Sequence, residues 1–201
     1  MITIVDYGMG NLGSIKNMLD RVDTLSTISS DPDVIARAEK LILPGVGAFE
    51  HALARIEERN LREVLNRKGL KEKIPILGIC LGMQLLVAGS DEGGLPGLGW
   101  IPGWATRFPS NTNLKVPHMG WNAVETNHTS PLTEDLPDEP RFYFVHSYFV
   151  SVSDQQHSMF KTNYGVQFDS GIHRDNIFGV QFHPEKSHRF GKKLLTNFAA
   201  L

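Results

Sequence analysis

Apolar residues follow two rhythms along this chain. Through residue 89 they come as short unbroken runs, "ITIV" (2–5), "KLIL" (40–43) and "IPILGIC" (74–80), each followed by a stretch with helical spacing. After the first run Leu12, Ile15, Leu19 and Val22 recur on one helical face. Asp31 before Pro32 is a natural N-cap and first helical residue for "DVIARA". "AFEHALARIEER" (48–59), "LREVLNRKGL" (61–70) and "LGMQLLVAG" (81–89) continue the helical series. Strands alternating with helices predict a parallel sheet with helical crossovers. Beyond residue 90 a glycine-rich, loop-like segment leads to aromatic and β-branched runs at 141–150, 158–169 and 176–184, each predicting a strand, and to a closing helix at 189–201. No repeat, low-complexity tract or linker interrupts the pattern, which predicts one domain over 1–201.

Composition narrows the class. Of the 201 residues 41% are hydrophobic and 21% charged, with a formal net charge of −2. That balance is ordinary for a globular chain and lacks the basic excess of a nucleic-acid binder. No apolar run nears the ~18 residues of a membrane span, and the first residues show neither a basic n-region nor a cleavage pattern, so no secretory signal is expected. A single cysteine excludes an intrachain disulfide and predicts a reducing compartment, the cytoplasm.

That cysteine is the first candidate for chemistry. Gly78-Ile79-Cys80-Leu81-Gly82 has the spacing of the G-x-S-x-G nucleophile elbow with cysteine in the serine position. A nucleophile on a sharp strand-to-helix turn leaves no room for side chains two residues away, which accounts for both glycines. The backbone N–H of Leu81 would be one oxyanion donor. The competing reading is a small buried residue in an apolar strand. A cysteine nucleophile needs a base and an orienter. His183 ends a predicted strand and Glu185 lies two residues on. Strand C-termini of a parallel sheet gather on one edge, where Cys80 and His183 can meet. A metal reading through His183, Glu185 and His188 is weaker, because Pro184 breaks the helix on which usual ligand spacings depend.

"GICLGMQLL", "FGVQFHPEKS", "LPGVGAF" and "VPHMGWN" together resemble the class I (triad) glutamine amidotransferases, and within them the glutaminase subunits of imidazole glycerol phosphate synthases. The resemblance runs from "VDYGMGN" to the last helix. The related glutaminase of pyridoxal phosphate synthesis usually carries G-G-E-S where this chain has Pro44-Gly45-Val46-Gly47. The resemblance implies an α/β fold, flavodoxin-like, with a mostly parallel central sheet flanked by helices and some added antiparallel strands. It implies hydrolysis of L-glutamine without cofactor or metal, and ammonia delivered to a (β/α)8-barrel cyclase subunit in a heterodimer. Position by position, it implies Cys80 as nucleophile, His183 as general acid/base and Glu185 as orienter. It places Gly47 beside Leu81 in the oxyanion hole and Gln84, Glu92, His146, Ser147 and Tyr148 around glutamine. The docking face would include Asn11, Pro117, His118, Met119, Gly120, Trp121, Asn122 and Lys186.

Two alternatives remain open on the residues. "FDSGIHRDN" (168–176) departs from the commonest histidine-pathway pattern and is similar to paralogues that supply ammonia for surface-sugar amidination. Gly8-Met9-Gly10-Asn11-Leu12-Gly13 is also a literal G-x-G-x-x-G between strand and helix, with Asp31 near the place of a ribose-binding acid, as in a dinucleotide-binding module.

Overall fold

The first-half runs form buried strands because each is followed by a return path long enough to cover a sheet face. The computed structural model describes residues 1–110 and 114–201. The first half contains β1 (Ile2–Val5), α1 (Leu12–Asp20), β2 (Ser26–Ser29), α2 (Pro32–Ala36), β3 (Lys40–Leu43), α3 (Phe49–Glu58), α4 (Arg62–Asn66), β4 (Ile76–Ile79) and α5 (Leu81–Leu85). The second half contains β5 (Gly103–Arg107), β6 (His118–Ala123), β7 (Glu125–Thr126), β8 (Arg141–His146), β9 (Tyr148–Val152), β10 (Ser158–Tyr164), β11 (Val166–Arg174), β12 (Ile177–Val180) and α6 (His188–Ala200). Among the described residues, no helix is long and apolar enough to cross a membrane.

The sheet runs β2-β1-β3-β4-β12-β11-β10-β7, with β9 bridging β11 and β5. Its first five strands are parallel, and β11, β10 and β7 extend it antiparallel. The decisive pairing is β4 with β12, where Gly78 lies opposite Gly179 and Ile79 opposite Val180. Both strands point the same way, so the residues that follow them, from Cys80 and from Gln181, leave the sheet on the same edge.

Core side chains fill both faces of the parallel strands, which is why these strands read as continuous apolar runs. One cluster packs Leu43, Met83 and the α3 stripe Phe49, Ala52, Leu53 and Ile56. The other packs Ile4, Leu77 and Val180 against α1 and the α6 stripe Phe190, Leu194, Leu195 and Phe198. Phe182, directly before His183, stacks on Phe142 of β8 with ring centroids 3.8 Å apart.

Several elements differ from expectation. The run at 141–150 is two strands. Phe142, Phe144 and His146 are buried with period two, but Phe149 and Val150 are both buried, and at Ser147 the chain changes sheets. β8 pairs with β6 in a separate two-stranded sheet, whereas β9 joins β5 and β11. The run at 158–169 is a hairpin that turns at Gly165. The helix expected over 61–70 stops at Asn66 and widens into a π-helical turn, Arg67–Lys71, in which buried Lys68 donates to the Ala36 carbonyl and pairs with Glu72.

The Phe142–Phe182 stack makes a test of how the His183 strand end is held. Phe182→Ala is expected to cost ~3–5 kcal/mol in urea unfolding, as for a fully buried aromatic, with Phe182→Leu recovering most of it.

Candidate active site

Cys80 sits at the C-terminal end of β4, and its N–H donates to the Val180 carbonyl at 2.8 Å, extending the pairing with β12. Its backbone then turns to φ 55°, ψ −111°, a conformation that costs a non-glycine residue about 1–3 kcal/mol. Two close approaches hold it there. A Cβ on Gly82 would lie 1.8 Å from the Leu43 carbonyl oxygen, and one on Gly78 would lie 2.6 Å from the Gly82 oxygen. The elbow is therefore wedged against the end of β3, and both glycines are sterically obligatory. Cys80 is 6% exposed, and its sulfur lies 3.8 Å from the Val145 carbonyl and 3.7 Å from Gln181 Nε2.

His183 follows β12. Its N–H donates to the Tyr143 carbonyl (2.9 Å), and Ser187 Oγ donates to the His183 carbonyl (2.6 Å). Pro184 ends the extended chain and starts a 3-10 turn, Pro184–Lys186, which brings Glu185 back beneath the ring. Glu185 Oε1 lies 2.7 Å from Nδ1, and both side chains are almost wholly buried. Because a carboxylate accepts, Nδ1 carries the hydrogen. Nε2 is buried and interacts with the Cys80 sulfur. Burial alone would favour the neutral ring, but hydrogen bonding and charge from Cys80 and Glu185 outweigh it and raise the pKa to about 10. His183 is thus held beside the sulfur with its charged form favoured.

The sulfur opens into a cavity of about 380 Å³. One wall is Val46, Gly47, Leu81, Gln84 and Glu92, and the other is Pro117, Val145, His146, Ser147 and Tyr148. All seven residues expected to serve as oxyanion donors or glutamine contacts therefore line one cavity with Cys80. Several of them also carry structural bonds, His146 among them. Gln84 Nε2 donates to the Tyr148 carbonyl (3.1 Å) and to Gln181 Oε1 (3.0 Å). Glu92 Oε2 accepts from the Phe49 N–H (2.9 Å), capping α3, whose N-cap Ala48 has no side-chain acceptor.

Two residues of the site were not picked out from sequence. Gln181 touches both Gln84 and Cys80, and its only sequence signal was its place inside the "GVQFHPE" run. Tyr7 is fully buried and donates its hydroxyl to the Pro44 carbonyl at the base of the 44–47 segment. Burial and the charge at Cys80 raise its pKa, so the hydroxyl stays a donor.

The residues expected at the docking face divide. Met119 (61% exposed) and Trp121 (46%) stand out from β6, and Pro117 and Lys186 are exposed. Trp121 stacks on His188 at 5.4 Å, and Lys186 lies over the Tyr143 ring. Exposed Asn11 caps α1 by accepting from Ser14 N–H (3.3 Å), and Gly120 and Asn122 are half-buried. His118 differs from its expected place on an exposed face: it is 3% exposed, because strand alternation turns it inward. His188 on Trp121 and Glu185 under His183 are drawn to different partners, which separates the side chains of the metal reading. The dinucleotide reading meets a filled turn. Asp6 accepts from Gly8 N–H (2.8 Å) and pairs with Arg59, and Gly10 abuts Pro44, so the turn's donor and the space beside it are already used. Asp31 caps α2 through Asp33 N–H.

An elbow cysteine, a carboxylate-paired histidine and a half-open pocket share one edge of the parallel sheet, an arrangement suited to cysteine-dependent amide hydrolysis. The glutamine amidotransferase class-I family matches residues 3–200, and the chain belongs to that family. Within it, the chain is 50% identical over 198 residues to the imidazole glycerol phosphate synthase subunit HisH 2 of Methanococcus maripaludis, covering 98% of each. It is 47% identical to the HisH subunit of Bdellovibrio bacteriovorus over the whole of both chains. Among solved structures, a glutamine amidotransferase superposes with a TM-score of 0.77 at 17% identity, each chain fully covered. PurLQS from Thermotoga maritima superposes with 0.75 at 18%, covering 98% of this chain and 96% of that one.

Two measurements probe the site's construction. Gly82→Ala is expected to abolish soluble folded protein or destabilise it by several kcal/mol, since the added carbon meets backbone rather than a movable side chain; circular dichroism and urea unfolding decide it. The second concerns pH. Burial lowers the pKa of His118 to about 4 and of His146 to about 3. Below pH ~6.5 the unfolded chain takes up protons at these rings and the folded one does not. The stabilisation is present above pH ~6.5 and is lost as pH falls toward these values, by up to ~1.4 kcal/mol per pH unit for each ring. His118→Asn should flatten the slope of unfolding free energy between pH 6.5 and 4.5 by about one proton's worth.

Proposed function

We propose that this chain is the glutaminase subunit of a two-subunit imidazole glycerol phosphate synthase, hydrolysing L-glutamine to L-glutamate and ammonia. The observation that carries the reading is the convergence of the strained Cys80, the Glu185-paired His183 and a cavity that opens at the sulfur. Identities of 45–50% to subunits bearing that name support it over the sugar-amidinating and dinucleotide alternatives.

In this reading the Cys80 thiolate adds to the side-chain amide carbon of glutamine. The oxyanion is met by Leu81 N–H and by a peptide N–H of the 45–47 segment. His183 Nε2–H protonates the amide nitrogen, the C–N bond breaks, and ammonia leaves. A γ-glutamyl thioester remains. Water attacks it while the now neutral His183 takes its proton, and collapse of the second tetrahedral adduct expels the thiolate and frees glutamate. Glu185 keeps Nδ1 protonated throughout, so that Nε2 is the working nitrogen in both halves. Gln84, Glu92 and the 146–148 wall hold the substrate's amino-acid end. Ammonia passes to a cyclase partner of (β/α)8-barrel fold, docked over Met119, Trp121 and Lys186, within the cytoplasm and in histidine biosynthesis.

The chemistry is tested by labelling. A glutamine-mimicking electrophile, 6-diazo-5-oxo-norleucine, should add once, at Cys80, and not to Cys80→Ser; intact mass spectrometry reads the adduct. His183→Ala should lose ~10²–10⁴-fold in glutamate production and Glu185→Ala less. Near-wild-type rates in both would remove the triad.

Partner dependence follows from the 45–47 segment. Gly45 is pressed between Tyr7, Leu81 and Gly82, and Gly47 has φ 102°, which only glycine tolerates freely. A peptide here turned the wrong way presents a carbonyl to the oxyanion, and a missing donor costs ~10²–10³ in turnover. Glutamate production should rise by about that factor when the cyclase subunit and its acceptor ligand are added to the isolated chain; equal rates would remove the gating while leaving the glutaminase.

A further inference from the structure

His118 is buried beneath a face whose neighbours Met119 and Trp121 are exposed, and the catalytic steps above do not use it. Its surroundings define a hydrogen-bond chain with a single direction. His146 Nδ1 lies 2.7 Å from the Tyr148 carbonyl, which can only accept, so Nδ1 carries the hydrogen. In the neutral ring His146 Nε2 is then an acceptor, and His118 Nδ1, 2.9 Å away, must donate to it. His118 Nε2 accepts in turn from Asn122 Nδ2 (3.2 Å). The Asn122 amide cannot flip freely, since its Oδ1 accepts from Ala123 N–H (2.8 Å) and its Nδ2 donates to the Asn163 carbonyl (3.0 Å). The His118 ring is clamped between Phe144 and Tyr164, with centroids 4.7 and 4.0 Å away. The carbonyl that ends the chain, Tyr148 O, is the one that receives Gln84, which continues through Gln181 to the Cys80 sulfur.

We propose that His118 is a positioning residue for the glutamine pocket: by donating to His146 it fixes the 146–148 wall and links the outward face of β6 to the site. The inference rests on the cavity being the glutamine site. Without the His118 donor, His146 Nε2 is a buried acceptor with no partner. The ring then gains by turning away, and the Tyr148 carbonyl loses one of the two donors that hold the wall. The substrate loses a preformed surface, while Cys80, His183 and Glu185 keep their own supports. The effect therefore belongs to glutamine binding more than to the chemical step. If His118 only filled the slot between Phe144 and Tyr164, phenylalanine would serve as well or better there, since it stacks alike and has no polar atoms to satisfy.

The test uses the chain with its synthase partner, following glutamate formation. His118→Phe should raise KM for glutamine about tenfold, the cost of one unsatisfied buried acceptor, with kcat within about threefold of wild type. His118→Asn, whose Nδ2 falls near the position of Nδ1, should return KM to within about threefold. An unchanged KM in His118→Phe, or no recovery in His118→Asn, overturns the proposal. ¹⁵N-labelled wild-type protein gives a second readout that survives a misfolded variant. Both rings should appear as the Nδ1–H tautomer, the minor form of free histidine, and a Nε2–H signal from either ring overturns the chain. Wild type that forms no glutamate with its partner removes the glutaminase reading, and this role with it; wild-type turnover beside an unshifted His118→Phe removes the positioning role alone.

Discussion

The site depends on one parallel pairing. β4 and β12 lie side by side in register, and the peptide after each leaves the sheet at the same edge. The bond from Cys80 N–H to the Val180 carbonyl is the last rung of that ladder, and it joins the residue carrying sulfur to the strand carrying the imidazole. If the strands were antiparallel, Cys80 and His183 would lie at opposite ends of the sheet. The crossovers that make them parallel also leave the strand ends uncovered, so a cavity opens there rather than over a face.

Packing around that edge makes the reactive groups unable to relax. Cys80 adopts a costly backbone because Gly82 is pressed on the end of β3 and Gly78 on Gly82. His183 is anchored on three sides: to Tyr143 by its N–H, to Ser187 by its carbonyl and to Glu185 by its ring. Phe182 and Phe142 stack just behind it. Low dielectric then acts on the remaining choice, the position of the proton. Imidazolium is expensive in a buried site unless a carboxylate and the sulfur flank it, and both do.

The antiparallel half supplies what the parallel half lacks. The chain crosses from β8 to β9 at Ser147, between two sheets, and that crossing forms the wall facing the sulfur. The switch of sheets exposes peptide groups of 146–148 to side chains from β6 and from α5 alike. Tyr148 O receives Gln84 from one side and the His118–His146 pair from the other. A wall built from a strand junction has fewer ladder bonds than a strand, and side-chain donors make up the difference.

Local constraints were legible in the residues. Gly-x-Cys-x-Gly after an apolar strand states a steric requirement contained within five positions, and His-Pro-Glu states a turn contained within three, so the elbow, the His183–Glu185 pair and their strand-end setting could be read without coordinates. The parallel half was legible for the same reason: each run and its return helix are contiguous. What depended on distant segments was not. The run 141–150 reads as one strand because nothing in it shows that its two halves pair with different partners. In "HMGWNA" nothing local shows that His118 turns inward while Met119 and Trp121 stay outside. β6 pairs only with β8, its inner side meets an aromatic slot that takes a neutral imidazole, and the apolar side chains are left outside. Gln181 and Tyr7 were invisible as site residues because their bonds run to Cys80 and Pro44, far away in sequence. The sequence by itself determined which backbone must bend and which side chains can carry a proton; the tertiary structure alone decided which of them share a cavity, because that depends on strand order, and strand order is set by pairings between segments that carry no local mark of each other.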